Sequence, residues 1–346
     1  MILKELSEAI GVSGNEDEVR QAILCHIQDH ADDVKIDAMG NLLATRRGTG
    51  RRRLRVMVAA HMDEVGFMVT GHDSDGLLKF RAVGGVHPTV TPGNRVVVGP
   101  KKLPGVIGMT PIHLASGAGF GKVVETSALR IDIGVSTKDQ AKRKAPLGTY
   151  AAFDTKFTVL GPTVRGKALD DRGGCAVLID LFTGDPFPFD LLAAFTVQEE
   201  VGLRGAQVAG YALEPDVAFV LEGTVCNDVP QEPDEDRTPV TRLGHGPAIS
   251  VMDRSMIADR RLVAHLIATA KAHDIPHQLK APGSGGTDAG AIHLSRAGVP
   301  SAVVSVPCRY IHGPAAILSL ADFENATRLM REALRSLKPS ILESER

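Results

Sequence analysis

The 346-residue sequence lacks tryptophan and contains only three tyrosines. Proteins that bind sugars or single-stranded nucleic acid usually present aromatic side chains for stacking, so both kinds of ligand are disfavoured. The formal net charge of −2 provides no overall positive field to attract nucleic acid or an anionic membrane. The run "RRGTGRRRLR" at 46–55 is therefore predicted to be a solvated turn whose basic side chains protect strand edges.

Long apolar runs and paired cysteines are also missing. No segment approaches the roughly 18 apolar residues of a membrane span, and the N-terminal residues do not resemble a signal peptide. The four cysteines are scattered, and none forms a CxxC pair. Neither a disulfide framework nor a structural zinc site is indicated. We expect a cytoplasmic protein that binds neither nucleic acid nor membrane.

The chain does contain an alternation of strand-like and helix-like segments, which is interrupted once. Apolar runs such as "LLAAFTVQ" and "PSAVVSVPCRY" are typical of buried strands, and amphipathic helix patterns separate them. Ser13 or Asn15 is predicted to cap the helix near the start. From about residue 67 the pattern changes to short β-like runs broken by Gly and Pro. We predict an α/β domain at 1–66 and 163–346, with a small β-rich domain inserted at 67–162.

Histidines and carboxylates stand where several predicted strands end. The stretch "AAHMDEVG" places His61 and Asp63 after one buried strand, and "TVQEEVGLRG" places Glu199 and Glu200 after another. Because neighbouring residues on a strand point to opposite faces, the two glutamates are expected to aim in opposite directions. Burial of an ionised carboxylate is costly unless it is paired or bound to a metal. A cation near this pair is therefore predicted.

Asp170, Glu222 and His312 extend the set, and each has an ordinary interpretation when taken alone. Asp170 in "GKALDDRGG" could cap a helix, and a single His-x-Asp pattern is weak evidence for a site. Taken together, the candidates at predicted strand ends are His61, Asp170, Glu199, Glu200, Glu222 and His312. Two histidines with several carboxylates suit a pair of divalent metals such as zinc, with one carboxylate as a bridge. The residue pattern leaves open which carboxylate bridges.

These motifs resemble the tetrahedral (TET) aminopeptidases, a family of co-catalytic dizinc exopeptidases. The family includes glutamyl and deblocking aminopeptidases, and some members carry endoglucanase labels. The resemblance covers essentially the whole chain, and its motifs, in the family's order, are "GVSGNEDEVR", "AHMDEVGFMV", "GVIGMTPIHL", "IDIGVSTKDQA", "GKALDDRGGC", "TVQEEVGLRGA", "GGTDAGAIH" and "PCRYIHGP". It implies an α/β fold with a central mixed sheet covered by helices, and an inserted β-barrel-like dimerisation or lid domain.

The resemblance also implies two divalent metal ions per subunit. Zinc is expected, with cobalt or manganese as alternatives. His61 and Glu222 would hold one ion, Glu200 and His312 would hold the other, and Asp170 would bridge them. The chain departs from the family at one ligand, because the family often has aspartate where this chain has Glu222. We expect coordination to survive this change, with a slightly altered geometry or affinity.

Three other residues receive roles from the same resemblance. Glu199 would be the general base, and Asp63 would orient His61. The peptide bond between Asp170 and Asp171 is expected to be cis. Asp288 in "GGTDAG" could line the substrate pocket, although a capped glycine-rich turn would explain it equally well.

The implied activity is hydrolysis of the N-terminal peptide bond of short peptides. Self-association to a dimer and to a tetrahedral dodecamer is implied as well. The alternative activity is an endoglucanase-type glycosidase that uses paired carboxylates, but it leaves both histidines idle. A third hypothesis is a catalytically silent assembly protein, and the complete set of ligands and base disfavours it. The preferred N-terminal residue, the native metal and the final assembly stay open.

Overall fold

The computed structural model describes residues 1–50, 53–111, 124–229, 239–282 and 285–343. Arg51 and Arg52 of the basic run, and the last three residues of "GVIGMTPIHL", lie outside these ranges. Within the ranges the helices are α1 (Ile2–Glu8), α2 (Asp17–Ile27), α3 (Lys138–Lys144), α4 (Leu169–Thr183), α5 (Arg204–Leu213), α6 (Arg260–Ala272), α7 (Ala289–Ile292) and α8 (Leu320–Ser336).

The strands fall into one large sheet and one barrel. In chain order they are β1 (Asp33–Ile36), β2 (Leu42–Arg46), β3 (Arg55–His61), β4 (Gly66–His72), β5 (Leu78–Val83), β6 (Arg95–Val98), β7 (Leu103–Gly108), β8 (Arg130–Asp132), β9 (Tyr150–Phe153), β10 (Thr158–Leu160), β11 (Thr163–Gly166), β12 (Asp190–Thr196), β13 (Val217–Val225), β14 (Ala248–Ser250), β15 (Gln278–Lys280), β16 (Ser301–Arg309) and β17 (Ala316–Ser319).

The large sheet is mixed, as predicted. Its strand order is β1-β2-β12-β3-β13-β16-β17-β11-β10, and β14 joins β16 to β15. The central strands β12, β3, β13 and β16 are parallel to their neighbours in that group, whereas β1, β2, β17, β11 and β10 pair antiparallel. Central parallel strands are buried on both faces, which accounts for their continuous apolar sequences.

Helices cover the sheet and complete its core. Helix α4 packs on β3, β12, β13 and β16 and contacts α1, α2 and α8. Helices α5 and α7 contact each other. In addition, α5 contacts β12, and α7 contacts β13 and β16. The fully buried side chains of α4 include Cys175, Leu178 and Phe182. No helix in these described ranges is long and apolar enough to span a membrane.

The inserted β-rich unit is a closed antiparallel barrel of six strands. Its order is β4-β5-β8-β7-β6-β9, and β9 closes the barrel by pairing with β4. Phe67 packs edge-to-face against Phe80 and Phe153, with ring centroids 5.0 and 5.2 Å apart. The predicted boundaries at 67 and 162 stay a prediction, and β10 hydrogen-bonds within the large sheet. Because β4 begins five residues after His61, the barrel adjoins the edge where the candidate residues lie.

The predicted helix cap near the start is wrong. Helix α2 begins at Asp17 with Glu16 in the N-cap position, and no side chain makes a capping hydrogen bond. The Ser13 hydroxyl instead donates to Asp63 Oδ2 at 2.7 Å. A buried carboxylate has a greater need for a donor than a helix end that water can reach.

Candidate metal centre

His61 is the last residue of β3, and its side chain is buried at the carboxyl edge of the sheet. Its Nδ1 lies 3.1 Å from the carbonyl oxygen of Asp63 and 3.4 Å from the Asp63 carboxylate. Its Nε2 faces the other way and lies 3.4 Å from Asp170 Oδ1 and 3.6 Å from Glu222 Oε1. One ring nitrogen is therefore held by Asp63, and the other is directed at two carboxylates.

Asp170 stands between the two histidines. It lies at the start of α4, where the backbone departs from helical geometry, and the Asp170–Asp171 peptide bond is cis as expected. Its Oδ1 faces His61 Nε2 at 3.4 Å, and its Oδ2 faces His312 Nε2 at 3.6 Å. A carboxylate with one oxygen toward each imidazole has the arrangement of a bridging ligand.

Glu199 and Glu200 do not lie on a strand, and the expectation that they aim in opposite directions is wrong. Strand β12 ends at Thr196, and Gln198 adopts a left-handed backbone with φ of 57° before the pair. The alternation of strand side chains no longer applies beyond that point. Both glutamates line one cavity, and Glu200 Oε2 lies 3.2 Å from His312 Nε2.

Asp63 fixes this glutamate loop as well as His61. Its Oδ1 accepts a hydrogen bond from the backbone N–H of Glu199 at 2.9 Å, and its Oδ2 accepts from that of Glu200 at 3.2 Å. The Ser13 hydroxyl supplies one more donor. Burial alone would raise the pKa of Asp63, but His61 and these donors outweigh it and hold the pKa below its usual value. One buried carboxylate thus sets the positions of three candidate side chains.

Glu222 lies inside β13, three residues before the strand ends, so its predicted place at a strand end is also wrong. Gly223, the next residue, explains how the strand can pass close to Asp170. A Cβ on Gly223 would lie 2.7 Å from both Cβ and Oδ1 of Asp170. Only a residue without a side chain permits this approach, which brings the Asp170 segment against the middle of β13.

His312 completes the set from the turn after β16. Its backbone φ is 58°, and its side chain is 37% exposed, whereas that of His61 is 1% exposed. A Cβ on Gly85 would lie 2.9 Å from His312 Nδ1, so the barrel loop that contains Gly85 packs against this imidazole. The inserted barrel therefore forms one wall of the candidate centre.

The donor set fits a divalent metal pair. His61, Glu199 and Glu222 offer ligand atoms that lie within 4.8 Å of one another, as do His61, Asp170 and Glu200. Asp170 Oδ1 and Glu222 Oε2 are buried and have no hydrogen-bond partner among the described residues. Buried carboxylate oxygens without donors need a cation, and imidazole with carboxylate is a common zinc ligand set.

The pKa shifts of the candidate acids are consistent with this need for a cation. Burial raises the pKa of Glu199 to about 9 and the pKa of Glu200 to about 7, although nearby imidazoles lower both. Burial also raises the pKa of Glu222. For Asp170 the contacts with His312 and His61 outweigh burial and hold its pKa below the usual range. Bound cations would favour the ionised form of every one of these acids.

A buried ion-pair network beside the centre was not predicted from the sequence. Lys167 Nζ donates to Glu64 Oε1 at 2.7 Å, to Oε2 at 2.9 Å and to the carbonyl of Ala9 at 2.7 Å. Arg172 Nη2 lies 3.4 Å from the same carboxylate. Burial lowers the pKa of Lys167 to about 8 against the opposing effect of Glu64. The network ties the segment after His61 to the segment that carries Asp170.

Asp288 directly follows Thr287, a residue of the cavity lining. It is fully buried at the start of α7, makes no capping hydrogen bond with its side chain, and accepts a hydrogen bond from the Thr196 hydroxyl through Oδ2. Its Oδ1 has no partner in the described parts of the chain. Burial raises the pKa of Asp288 to about 6. The neighbouring Thr287 lines the cavity, and a substrate-binding role for Asp288 stays a prediction.

A cavity of about 590 Å³ opens beside the carboxylates and extends between β13, β15 and the loop before α7. Its lining includes the four acids Asp170, Glu199, Glu200 and Glu222, together with Thr224, Val225, Val240, Arg254 and Lys280. This volume accommodates a small ligand such as the end of a peptide.

The mixed sheet, the inserted barrel and the histidine–carboxylate cluster define an α/β protein with a candidate centre for divalent metal ions. The family model for M42 glutamyl aminopeptidase matches residues 40–329 of this chain. The chain belongs to the M42 glutamyl aminopeptidase family, and it is an aminopeptidase of this metallopeptidase family. The resemblance stated from the motifs is confirmed.

Three relatives illustrate the similarity. The TET aminopeptidase from the marine sediment archaeon Thaumarchaeota archaeon SCGC AB-539-E09 has 38% identity and a TM-score of 0.93, over 99% of this chain and 97% of that chain. The lysyl aminopeptidase of Pyrococcus furiosus is 33% identical over 98% of this chain and 97% of its own length. The Pyrococcus horikoshii TET1 peptidase, which can assemble into a tetrahedron or a large octahedral shell, has 35% identity and a TM-score of 0.85, over 97% of this chain and 99% of that chain.

Proposed function

We propose that the protein removes the N-terminal residue from short peptides, with Glu199 as general base. The observation that supports this most directly is the position of Asp170, whose two oxygens face two different imidazoles. His61 and Glu222 would hold one divalent ion, Glu200 and His312 would hold the other, and Asp170 would bridge them. Zinc suits these nitrogen and oxygen donors, and cobalt or manganese are the alternatives.

Such a pair of ions, when bound, lowers the pKa of water and polarises the scissile carbonyl group. The residues of the chain perform the remaining steps. Glu199 lines the cavity, Asp63 fixes its backbone N–H, and its carboxylate lies within 4.8 Å of ligand atoms of His61 and Glu222. We infer that this carboxylate takes the proton from the attacking water and later delivers it to the leaving amine. Asp63 keeps the His61 ring oriented during this exchange.

The function is tested by peptide cleavage with and without a chelator. The protein loaded with zinc should release the N-terminal residue of short peptides and of leucyl-p-nitroanilide. EDTA should abolish this activity and added zinc should restore it, because the proposed ligands have no other way to activate water. An endoglucanase-type glycosidase based on two carboxylates would instead cleave a β-glucan and resist EDTA. Absence of peptide cleavage with both zinc and cobalt would favour the silent assembly protein.

We also propose that the chain self-associates through its barrel into a dimer, and that six dimers form a tetrahedral dodecamer. The assembly of the P. horikoshii relative supports this, as do Val90, Val106 and Met109, which are exposed on the barrel. Exposed apolar side chains of this kind often mark an interface. Light scattering should give a native mass of twelve chains. A mass of two chains would contradict the dodecamer, and a mass of one chain would contradict both.

A further inference from the structure

Gly84 and Gly85 form the bend that follows β5 of the barrel, and their backbone lies against two of the proposed metal ligands. A Cβ on Gly84 would lie 3.3 Å from Cβ of Glu200. A Cβ on Gly85 would lie 2.9 Å from Nδ1 of His312, 3.5 Å from its Cε1 and 3.9 Å from its Cγ. The bend therefore packs against both side chains that are proposed to hold one of the two ions.

Glycine is required at the two positions of the bend for different reasons. Gly84 adopts a left-handed backbone with φ of 79°, which glycine accepts without strain. Gly85 is not left-handed, but the His312 ring occupies the space that a side chain would need. Carbon atoms make their first favourable contacts at roughly 3.5 Å, so even a methyl group at position 85 requires the imidazole to move by roughly 0.5 Å.

The last strand of the barrel leads to a second contact with the turn that carries His312. Thr155, two residues after β9, donates its hydroxyl to the carbonyl oxygen of Pro314 at 2.6 Å. Phe153, the last residue of β9, lines a small cavity together with Glu200 and His312. The barrel side of the molecule thus supports the His312 turn at two separate points.

The other proposed metal position has a different support. His61 ends β3, and Glu222 lies in β13, which pairs with β3 in the large sheet. The Nδ1 side of the His61 ring is held by Asp63. The His312 side chain is 37% exposed, so it has room to move when a neighbour changes. The two positions therefore differ in how strongly they depend on the barrel.

We propose, on the basis of the proposed function and its ligands, that the Gly84–Gly85 bend is a positioning element for the ion held by Glu200 and His312. The bend acts through a ligand and not on the substrate. It confines the imidazole to the orientation in which Nε2 faces Asp170 and Glu200. Because metal ligands must be held within roughly 0.5 Å of the productive geometry, the barrel sets the affinity of this ion and the sheet sets that of the other.

Gly85→Ala tests this positioning role. The added methyl group should displace the imidazole of His312 and weaken the binding of one zinc ion by roughly 10–100-fold, the usual effect when a ligand loses its support. The second ion should keep its affinity. Isothermal titration with zinc, in competition with a chelator, measures both dissociation constants. The visible absorption of the cobalt-loaded protein should show a changed ligand geometry at one position. Neither measurement requires peptide cleavage.

Gly71→Ala is the matched control within the barrel. Gly71 lies on β4, is outside the left-handed region like Gly85, and a Cβ there would meet the side chain of Lys79 at 3.2 Å. This lysine is half-exposed and can move aside, so both zinc ions should bind as they do in the unmodified protein. Because each variant adds one methyl group to a glycine, both restrict the unfolded chain to a similar extent.

A double-mutant cycle identifies the residue through which the bend acts. In the His312→Ala background there is no imidazole to displace. Gly85→Ala should then change the affinity for zinc by less than about twofold, whereas independent effects would add.

Three outcomes overturn the inference. The first is unmodified affinity for both ions in Gly85→Ala. The second is an equal loss of both ions, with a lower unfolding temperature than that of Gly71→Ala, which assigns the bend a general structural role. The third is a full effect of Gly85→Ala in the His312→Ala background.

Failure of the proposed function is distinguishable from failure of this inference. If the unmodified protein binds two zinc ions and cleaves no peptide, the proposed hydrolysis is rejected, and a selective loss of one ion in Gly85→Ala still supports the role of the bend. If the unmodified protein binds no zinc, both proposals are rejected together.

Discussion

Replacement of Glu199 with glutamine is expected to lower kcat by roughly 10²–10⁴-fold while the protein keeps its metal, because this is the usual contribution of general acid–base catalysis. Glutamine preserves the size of the side chain and removes its capacity to take a proton. The backbone N–H of residue 199 still donates to Asp63, so the loop keeps its anchor. Steady-state kinetics and elemental analysis on the same preparation check both parts.

Glu200→Gln provides the matched comparison one residue away. Glu200 contacts His312 and shares with Glu199 the anchoring carboxylate of Asp63, but it is proposed to be a ligand. We expect this variant to lose metal, and excess zinc should restore part of its activity. The Glu199 variant should not respond to excess zinc. Near-normal turnover in Glu199→Gln would remove this residue from the role of base.

Replacement of His312 with alanine should weaken binding of one of the two ions by more than the roughly 10–100-fold that follows the loss of a group beside a ligand. The imidazole faces Asp170 and Glu200, and no other described histidine replaces it there. Because the side chain is 37% exposed, its removal leaves no large buried void and should preserve the fold. Isothermal titration with zinc, supported by elemental analysis, measures the change.

His30→Ala is a suitable control for this experiment, because His30 is exposed and lies far along the chain from every candidate ligand. It should bind zinc as the unmodified protein does. Thermal unfolding of both variants separates lost affinity from lost structure. Full occupancy of both metal positions in His312→Ala would contradict the ligand assignment.

The α/β class and the inserted β-rich unit could be predicted because they follow from local patterns, whereas the mixed sheet was expected from the family resemblance. Continuous apolar runs predicted the central strands, and β3, β12, β13 and β16 confirm them. The expectation that the Glu199 and Glu200 side chains aim in opposite directions was wrong, and the reason for this is also local. A left-handed residue at Gln198 ends the strand geometry before the pair, and no turn residue such as glycine marks that position.

The sequence by itself determined which kinds of ligand the chain can offer and the order in which they occur, since residue type decides whether a group can bind a metal or move a proton. The tertiary structure decided which of these groups meet. Asp63 reaches the Glu199 loop, and Glu64 pairs with Lys167. These relations join segments distant in the chain, so they depend on strand order and packing, which no local pattern encodes.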